Sequence, residues 1–508
     1  MKTAYDLVWQ SGERTPDQLA LVDDRTERRL TYRELLGEID AVAAGLAARG
    51  VKRGTRVATA LPNLFEHCIL LLALQRLAAV PALLNFRLQP AELAKLMQQG
   101  EIECAVVRDD PAVTSALNLK LLLTPDLSGC RGDPRTLPPR PQPAREDPAF
   151  IFYTSGTTGL PKGAIIPHRA IEHRLIFMST HGELRAGTHN RALGLVPLSH
   201  AIGFYCVFLQ TLAYGGTYYV MSAFNPAAAV DMVERHKISY LFAVPTLYQA
   251  MVSSPNYKPE RMASLEVVLF GGAPIQPPLL ERLAREWPAT LRHIYGTTEI
   301  MSPLHFPDPV GQATRLRTNY GSRIRVVRQG GGPDDIVKVG EGGELIVDAS
   351  AEVTFSSYLN RPDATAEKLR GGWYFTGDVC VLRADGDVEL VGRVDDVIRS
   401  GGESVYPEEV ESALAAHPAV RECCIVGIPD AKWGEMVVAC VVLAQPEAGC
   451  AALDAHLTSG TLARFKRPRA YLRMDSLPRN AANKVLRAPL RDTAAKARDA
   501  SDANFLQP

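Results

Sequence analysis

The sequence predicts an α/β protein with a large N-terminal domain and a smaller α+β C-terminal domain. The chain has 508 residues, which is more than one hydrophobic core usually organises, and 46% of them are hydrophobic. Helix-like and strand-like segments alternate through its first part, as in mainly parallel sheets flanked by helices. After residue 319 short strand-like runs separated by glycines replace that alternation.

The alternating elements can be followed in order. Residues 31–50 have the apolar spacing of a helix, and residues 56–61 follow as a β-branched strand. Residues 68–84 form the longest apolar run, but polar residues and a proline interrupt it. We therefore expect a buried helix followed by a strand there, not a membrane span. The proline-rich residues 136–148 predict an extended loop.

The second part of the chain predicts two further units. Residues 319–392 have the pattern of a small antiparallel β subdomain, which would complete an N-terminal domain of residues 1–392. From there on, a helix with a proline at its start alternates with strands, which predicts a separate α+β domain over residues 393–508. The link at residues 392–396 is charged and begins with glycine, so it is a candidate hinge.

Charge and cysteine content exclude several classes of function. The 56 Lys and Arg balance 56 Asp and Glu, so no net field favours nucleic acid or an anionic membrane. The nine cysteines fit neither a disulfide framework nor a structural zinc site. The N-terminus lacks the unbroken apolar core of a signal peptide. We expect a cytoplasmic protein without a membrane span, and the sequence leaves a homodimer open.

A loop of small residues follows an apolar run in FIFYTSGTTGLPKGAI, residues 150–165. Glycines let backbone N–H groups turn toward a common centre, and the hydroxyls and Lys162 add donors, so the loop suits a polyphosphate. Its spacing is not that of the P-loop NTPases. The alternative is a flexible Gly/Ser linker, which the flanking AFIFY and PKGAII disfavour.

This loop resembles the phosphate-binding signature of the adenylate-forming superfamily, which includes acyl-CoA synthetases, amino-acid adenylation domains and firefly luciferase. Within that superfamily the chain is most similar to benzoate-type aryl-CoA ligases. Four further signatures follow in the expected order: YGTTE (295–299), YFTGD (374–378), GRVDDVIRSGGESVYPEEVE (392–411) and PRNAANKVLR (478–487). The resemblance implies that a carboxylic acid is activated by ATP and Mg²⁺ and then transferred to coenzyme A.

The resemblance also implies roles for individual residues at the nucleotide. A carboxylate is a poor electrophile, and joining it to the α-phosphate of ATP gives its carbonyl a better leaving group. Glu299, with Thr154, would hold Mg²⁺, and Thr298 would contact the α-phosphate. The β- and γ-phosphates would be held by Thr154, Ser155, Gly156, Thr157, Thr158, Gly159 and Lys162. Tyr295 would stack on adenine, Asp378 would bind the ribose, and Arg393 would reach the ribose or a phosphate. The other implied ATP-binding residues are Gly296 and Thr297.

The roles of Asp378 and Lys484 are also supported by a chemical argument. One carboxylate, Asp378, can accept hydrogen bonds from both ribose hydroxyls, although an Asp in a β-turn after Gly377 is the plain alternative. An ammonium at Lys484 can bridge the acid and the α-phosphate as charge redistributes. Its alternative is a solvated lysine in a basic tail. Most relatives have glycine before this lysine, whereas Asn483 is found here, as in the benzoate-type ligases.

The second half of the reaction implies a moving domain. The lysine must approach the α-phosphate in one step and the thiol of CoA must reach the same carbonyl in the next, so the small domain has to turn, with Asp395 as the family's pivot. The implied CoA-binding residues are Arg87, Gly401, Gly402, Trp433, Phe465, Arg467 and Arg469. Together they favour free CoA over a carrier protein. For Gly401 and Gly402 the alternative is a solvated turn.

The acyl pocket is predicted to be short and mostly apolar. Residues 196–204 contain no acid for a substrate amine, so an α-amino acid is disfavoured. His200 would line the site and act in it, with a core histidine as the alternative. Ser199 replaces a larger aromatic residue of the benzoate-type ligases. The other implied acyl-binding residues are Phe177, Ala201, Ile202, Phe242, Gly271, Ile294, Gly296, Met301 and Ser302.

The sequence is compatible with several substrates, acceptors and activities. The acid could be a substituted or plain benzoate, a cyclohexane carboxylate, a phenylpropenoate or a fatty acid. The acceptor could be a carrier protein in place of CoA. The same adenylate could serve a luciferase-like oxygenase, and a non-catalytic nucleotide sensor is disfavoured because Lys484 and Glu299 are both present.

Overall fold

The computed structural model describes residues 1–108, 110–117, 119–154, 161–182, 187, 190–273, 275–312, 314–444, 449–460, 462–479 and 485–506. Its helices are α1 (Ala4–Arg14), α2 (Tyr32–Ala48), α3 (Phe65–Arg76), α4 (Pro90–Gln99), α5 (Pro111–Ser115), α6 (His168–Gly182), α7 (Gln210–Ala213), α8 (Pro226–His236), α9 (Pro245–Val252), α10 (Pro277–Glu286), α11 (Pro362–Lys368), α12 (Pro407–Ala415), α13 (Cys450–Ser459) and α14 (Arg487–Asp499). A π-helix over Ile202–Leu209 leads into α7.

The strands are β1 (Leu19–Asp23), β2 (Arg28–Thr31), β3 (Arg56–Ala60), β4 (Val80–Leu83), β5 (Cys104–Val107), β6 (Leu121–Leu123), β7 (Pro148–Thr154), β8 (Lys162–Pro167), β9 (Arg191–Leu193), β10 (Thr217–Tyr219), β11 (Tyr240–Ala243), β12 (Val267–Gly271), β13 (Thr290–Thr297), β14 (Met301–Phe306), β15 (Arg315–Thr318), β16 (Ile324–Val327), β17 (Gly342–Asp348), β18 (Ser357–Tyr358), β19 (Leu369–Arg370), β20 (Trp373–Leu382), β21 (Val388–Arg393), β22 (Ile398–Ser400), β23 (Glu403–Val405), β24 (Val420–Asp430), β25 (Gly434–Leu443), β26 (Ala470–Arg473) and β27 (Phe505–Leu506).

A seven-stranded sheet has the order β18-β8-β7-β4-β3-β5-β6, parallel from β7 to β6. The predicted helix at 31–50 is α2, which begins after a capping box in which Thr31 and Glu34 each bond the other's backbone N–H. The predicted buried helix and strand are α3 and β4. Every residue of α3 except Glu66 is buried, which explains why apolar residues occur on all sides of this helix. No described helix is long and apolar enough to cross a membrane.

A fourteen-stranded sheet has the order β16-β17-β20-β21-β15-β14-β13-β12-β11-β9-β10-β1-β2, with β19 beside β20. The strands from β13 to β1 along this order are parallel, and those from β14 to β16 are antiparallel. The predicted antiparallel β subdomain is therefore present as strands, but it extends the parallel sheet through the β13-β14 pair. Glycine turns in the sequence indicated the hairpins and could not indicate this edge pairing.

The last sheet contains six strands, β22 to β27, all from residue 398 onward. It is antiparallel except for the β25-β26 pair, and α12, α13 and α14 follow or precede its strands, as an α+β pattern predicts. Several predicted site residues lie at or just beyond the carboxyl ends of parallel strands β7, β12 and β13, where ligands bind in open α/β sheets.

Candidate active site

Three predicted nucleotide residues lie in direct contact around Asp378. Its Oδ1 atom accepts a hydrogen bond from Arg393 Nη1 at 2.7 Å, and its Oδ2 atom accepts one from the Tyr295 hydroxyl. The pairing of β20 with β21 places Asp378 directly opposite Arg393. A carboxylate has about four acceptor sites, so Asp378 can still accept a ribose hydroxyl while the two donors fix its orientation.

Burial and charge together keep both donors protonated. Asp378 is 7% exposed and Tyr295 9%. Burial and then the charge of Asp378 raise the pKa of Tyr295 well above its ordinary value. Burial lowers the pKa of Arg393, but the neighbouring Asp378, Tyr295 and Asp396 together outweigh it and the net pKa is raised. Because Tyr295 packs in a core with Leu304 and Phe306, its stacking on adenine stays a prediction.

The predicted magnesium ligand Glu299 lies just beyond the end of β13 and is 5% exposed. Its Oε1 atom accepts a hydrogen bond from the Tyr358 hydroxyl at 2.6 Å, and its carbonyl accepts one from Phe355 N at 2.7 Å. Burial and then the charge of Glu299 raise the pKa of Tyr358. The sequence prediction missed Tyr358, because this residue lies outside the five motifs and 59 positions from its partner.

One end of the predicted phosphate loop, at Lys162, is connected to this carboxylate through Tyr358. Thr154 on β7 is the register partner of Lys162 on β8, and Thr154 Oγ1 donates to Lys162 O at 3.3 Å. The Lys162 ammonium lies 5.5 Å from the centre of the Tyr358 ring, so Tyr358 contacts both Lys162 and Glu299. The remaining predicted phosphate ligands, Ser155, Gly156, Thr157, Thr158 and Gly159, lie outside the described residues.

Two predicted glycines are required by the sheet itself. A Cβ at Gly296 would lie 1.7 Å from Met301 O, and one at Gly271 would lie 2.7 Å from Ile294 O. Both contacts are too close for any side chain, so neighbouring backbone already explains these glycines. Thr297 pairs with Met301 at the end of the β13-β14 ladder. The predicted roles of these residues toward ATP and the acyl group therefore add to a folding requirement.

The predicted acyl residue His200 is held by a segment that a buried asparagine organises. Asn63 Nδ2 donates to Gly194 O at 3.1 Å and to Val196 O at 3.0 Å, and Leu198 N donates to Asn63 Oδ1 at 2.8 Å. These bonds use both ends of the amide and fix residues 194–198, directly before His200. Asn63 is separated from this segment by more than a hundred positions, so no local pattern could reveal it.

His200 is neutral at physiological pH. Burial, followed by the charge of Arg87, lowers its pKa to about 4. Its Nε2 atom is buried and, among the described residues, has no hydrogen-bond partner. This observation favours a site histidine over a satisfied core histidine. The effect of the Arg87 charge on the pKa of His200 indicates that this predicted CoA residue lies near His200.

The other predicted acyl residues lie between α6, the π-helix and the ends of β11 to β13. A Cβ at Gly272 would meet Val244 Cγ1 at 3.8 Å and Ile202 Cδ1 at 3.9 Å, and one at Gly321 would meet Phe177 Cε2 at 3.6 Å. Three predicted acyl residues are half-buried, namely Phe177, Ala201 and Ile202. Four others are buried: Phe242, Ile294, Met301 and Ser302.

Two serines give this region polar atoms. Ser199 is 4% exposed and its Oγ atom has no partner among the described residues. Within the described part of the chain, the Ser302 hydroxyl makes a single hydrogen bond, a long one of 3.9 Å to Met178 Sδ. A buried hydroxyl without a partner is costly, so a pocket with these serines suits an acid that offers a polar substituent better than an all-apolar pocket would.

Three predicted CoA residues of the C-terminal part form one cluster, namely Gly401, Trp433 and Arg469. Gly401 N donates to Trp433 O at 2.7 Å, and a Cβ at Gly401 would lie 3.1 Å from the Trp433 ring. Gly401 and Gly402 both have positive φ, at 63° and 84°, which favours glycine. The Arg469 guanidinium lies 3.7 Å from the centre of the Trp433 ring. Phe465 lies before Arg467, whose Nη1 atom donates to the Thr458 hydroxyl.

Replacing Arg467 with alanine is expected to raise the KM for CoA about tenfold, because a charge-assisted hydrogen bond contributes about 1.5–3 kcal/mol. Pyrophosphate release should change little. Lys466→Ala is the matched control, since Lys466 is already paired with Glu409 at 2.7 Å. Steady-state kinetics with varied CoA checks the prediction. A loss of pyrophosphate release in Arg467→Ala would show that the CoA site is misplaced.

The predicted hinge residue Asp395 lies in the 3-10 helix Val394–Asp396. Its neighbour Asp396 pairs with Arg487 Nε at 3.2 Å, so a contact made by the C-terminal end of the PRNAANKVLR motif reaches the residue next to the hinge. The catalytic candidate Lys484 within that motif lies outside the described residues. Its role therefore stays a prediction.

Arg487 also binds two glutamates of α12. It pairs with Glu408 at 3.0 Å and with Glu411 at 2.5 Å, so with Asp396 three carboxylates surround one guanidinium. The Glu408 Oε2 atom is buried without a hydrogen-bond partner in the described part of the chain, and a Cβ at Gly392 would lie 2.5 Å from it. One carboxylate of the cluster thus faces β21, across the predicted hinge.

Replacing Glu408 with glutamine is expected to stabilise the protein more at pH 8 than at pH 5. Burial, opposed by Arg487 and reinforced by Glu411, raises the pKa of Glu408 from 4.5 to about 7. As pH rises from about 4.5 to 7, the unfolded chain loses this proton first, so the folded state loses stability. The glutamine cannot titrate. Tm differences between variant and wild type at the two pH values check this, and a constant difference would contradict it.

Two protein-family models match the sequence. The model described as AMP-binding enzyme covers residues 8–359, and the one described as AMP-binding enzyme C-terminal domain covers residues 409–484. The chain is 46% identical to a 4-chlorobenzoate–CoA ligase of Arthrobacter sp. over 97% of its own length and 95% of that protein. It is 39% identical to a 4-chlorobenzoate–CoA ligase of Pseudomonas sp. strain CBS-3, with coverages of 96% and 94%.

Solved structures share the fold. The o-succinylbenzoate CoA synthetase of Bacillus subtilis in complex with its acyl-adenylate intermediate matches with a TM-score of 0.83 and 26% identity, over 96% of this chain and 98% of that one. The same synthetase in complex with ATP and magnesium matches with a TM-score of 0.82 and 27% identity, over 96% and 99%. The predicted fold class is confirmed, and the chain belongs to the AMP-binding enzyme family that its motifs resemble.

Proposed function

We propose that the protein is an ATP-dependent aryl-carboxylate:CoA ligase that forms an acyl-adenylate and then a CoA thioester. The observation that carries the proposal is the 46% identity with 4-chlorobenzoate–CoA ligase over 97% of the chain. The expected reaction class, acid:thiol ligation by an AMP-binding enzyme, is confirmed by these relatives. The contacts of Asp378 and Glu299 support the residue roles proposed for this chain.

In the first step a carboxylate oxygen attacks the α-phosphate of ATP. A bond forms between that oxygen and phosphorus, the bond from the α- to the β-phosphate breaks, and pyrophosphate leaves. Asp378 and Arg393 would hold the ribose, Thr298 the α-phosphate and Lys162 the leaving phosphates. Lys484 would bridge the two reacting groups, because a cation there stabilises charge that develops in the transition state.

The residues around Glu299 fit magnesium. Mg²⁺ usually binds through one or two carboxylates together with substrate phosphates. Here one buried carboxylate is bonded to Tyr358, whose ring lies 5.5 Å from the Lys162 ammonium at the end of the phosphate loop. Glu299 and Thr154 would hold the ion, which neutralises phosphate charge when bound. The Tyr358 hydroxyl orients the carboxylate by donating a hydrogen bond to its Oε1 atom.

In the second step the CoA thiolate attacks the acyl carbonyl, the carbon–oxygen bond to AMP breaks, and AMP leaves with the bridging oxygen. We propose that residues 393–508 form a domain that turns at Asp395 between the steps. The cluster of Gly401, Trp433 and Arg469 would then present CoA to the carbonyl, and Arg87 would contact it from the N-terminal side.

We propose that the acid is a small aromatic acid whose ring bears no charged group. His200 is neutral because of burial, and no other predicted acyl residue has an ionisable side chain. Such walls suit a flat ring and do not suit an amine or a second carboxylate. Ser199 and Ser302 favour a ring that bears a hydrogen-bonding substituent, so a hydroxylated benzoate is a substrate to compare with 4-chlorobenzoate.

Screening a panel of acids for pyrophosphate release with MgATP tests the function. The panel includes 4-chlorobenzoate, benzoate, hydroxybenzoates, cyclohexane carboxylate, ferulate and a fatty acid. We expect release with one or more aromatic acids, and thioester formation with free CoA but not with a carrier-protein phosphopantetheine. Release only with fatty acids, or transfer only to the carrier, would contradict the proposal.

The proposal also includes a cellular location and an oligomeric state. All nine cysteines are free, as a reducing compartment requires, and we propose a cytoplasmic location. A homodimer is proposed as the solution state, and mass measurement by light scattering distinguishes it from a monomer.

A further inference from the structure

A fully buried arginine lies behind the proposed ATP site. Arg174 on α6 is 0% exposed, and burial lowers its pKa. Each of its described hydrogen bonds goes to a main-chain carbonyl and none to a carboxylate. Burying a cation without a carboxylate partner is costly. An apolar side chain could fill the same buried space, so the hydrogen bonds of Arg174 need an explanation.

The bonds of Arg174 join two segments that are far apart in the sequence. Its Nε atom donates to Val353 O at 3.0 Å, and its Nη2 atom donates to Thr298 O at 2.9 Å and, more weakly, toward Glu299 O at 3.5 Å. The guanidinium also lies 5.1 Å from the centre of the Tyr205 ring. A planar fork can bond in several fixed directions at once, which lysine cannot do.

A second arginine of α6 binds the same neighbouring segment, residues 352–355. Arg169 Nη1 donates to Glu352 O at 2.7 Å and to Thr354 O at 3.0 Å, and its Nε atom pairs with Glu146. Both arginines therefore fasten residues 352–355 to α6. Of the two arginines, only Arg174 also bonds the Thr298–Glu299 turn in the described hydrogen bonds.

We propose that Arg174 is a positioning residue for MgATP. It ties the turn that carries Thr298 and Glu299 to α6, and Phe355 N completes the attachment by donating to Glu299 O at 2.7 Å. The turn then cannot shift when the metal and the phosphates bind. A misplacement of about 1 Å at a reacting centre can cost about 100-fold in rate. The inference rests on the proposed function, because it assumes that Glu299 and Thr298 face MgATP.

Calorimetric binding of ATP to the full-length protein, with and without Mg²⁺ and without any acid, tests the inference. We compare wild type with Arg174→Met and Arg169→Met. Both substitutions remove hydrogen bonds to residues 352–355, but only the first releases the turn. Arg174→Met should weaken MgATP binding about 10- to 100-fold and lose most of the affinity that Mg²⁺ adds, whereas Arg169→Met should stay within about threefold of wild type.

Thermal unfolding of each variant separates positioning from general stability. If Arg174→Met does not fold, Arg174→Lys against Arg169→Lys gives the same comparison, with an expected loss of about tenfold for the first only. Equal losses of MgATP affinity in the matched pair would overturn the inference. Wild-type protein that binds no MgATP would instead overturn the proposed function. Kinetics with 4-chlorobenzoate as probe acid should show a raised KM for ATP and an unchanged KM for CoA.

Discussion

Replacing Lys484 with alanine is expected to slow acyl-adenylate formation by about 100- to 1000-fold. The ammonium would stabilise charge shared between the acid and the α-phosphate, and removing one such preorganised group typically costs that much. Thioester formation from supplied acyl-adenylate should stay nearly normal, because the leaving group is then already in place. Pyrophosphate release and single-turnover thioester formation measure the two halves separately.

A lysine elsewhere in the same region provides the control. Lys496 is an exposed residue of α14, and Lys496→Ala removes the same charge from the C-terminal part without touching the motif. Its two half-reactions should both match wild type. An equal loss of both half-reactions in Lys484→Ala would indicate a folding defect or a role in CoA transfer, and would contradict the proposed role.

Replacing Glu299 with glutamine is expected to lower adenylate formation about 100-fold and to raise the Mg²⁺ concentration needed for half-maximal rate. Glutamine keeps the shape of the side chain and can still accept the Tyr358 hydroxyl, which lies 2.6 Å from Oε1. It removes the negative charge that would hold the ion, so the loss is specific to the metal. Titration of the rate with Mg²⁺ at fixed ATP gives both quantities.

Tyr358→Phe separates the charge of Glu299 from its orientation. This substitution removes a hydrogen bond to the carboxylate, for which about 1.5–3 kcal/mol is typical, so a loss of about tenfold is expected. The Mg²⁺ requirement should rise less than in Glu299→Gln. If the tyrosine variant loses as much activity as the glutamine variant, the carboxylate acts through the phenol and not as a metal ligand.

The fold was predictable where local patterns decide it. The apolar spacing and the capping residues Thr31 and Glu34 define α2, and the apolar run at 68–84 defines α3 and β4. The glycine turns after residue 319 indicated antiparallel hairpins. Their attachment to the parallel sheet through β14 depends on hydrogen bonds between strand edges, which no periodicity records.

The site was predictable as a set of motifs and not as a set of contacts. The resemblance placed Asp378 and Arg393 at the ribose, and register pairing of β20 with β21 explains their contact. Tyr358 and Arg174 were missed because their partners are distant in the sequence: Arg174 and Thr298 are 124 positions apart. A buried tyrosine or arginine carries no local signal of such a bond.

Isotope transfer tests the central claim most directly. The acid that supports turnover is supplied with ¹⁸O in both carboxylate oxygens, together with MgATP and CoA, and the AMP product is analysed by mass spectrometry. Attack of the acid on the α-phosphate predicts that each AMP carries one ¹⁸O atom and each thioester keeps the other. Unlabelled AMP, or ADP in place of AMP, would contradict the account.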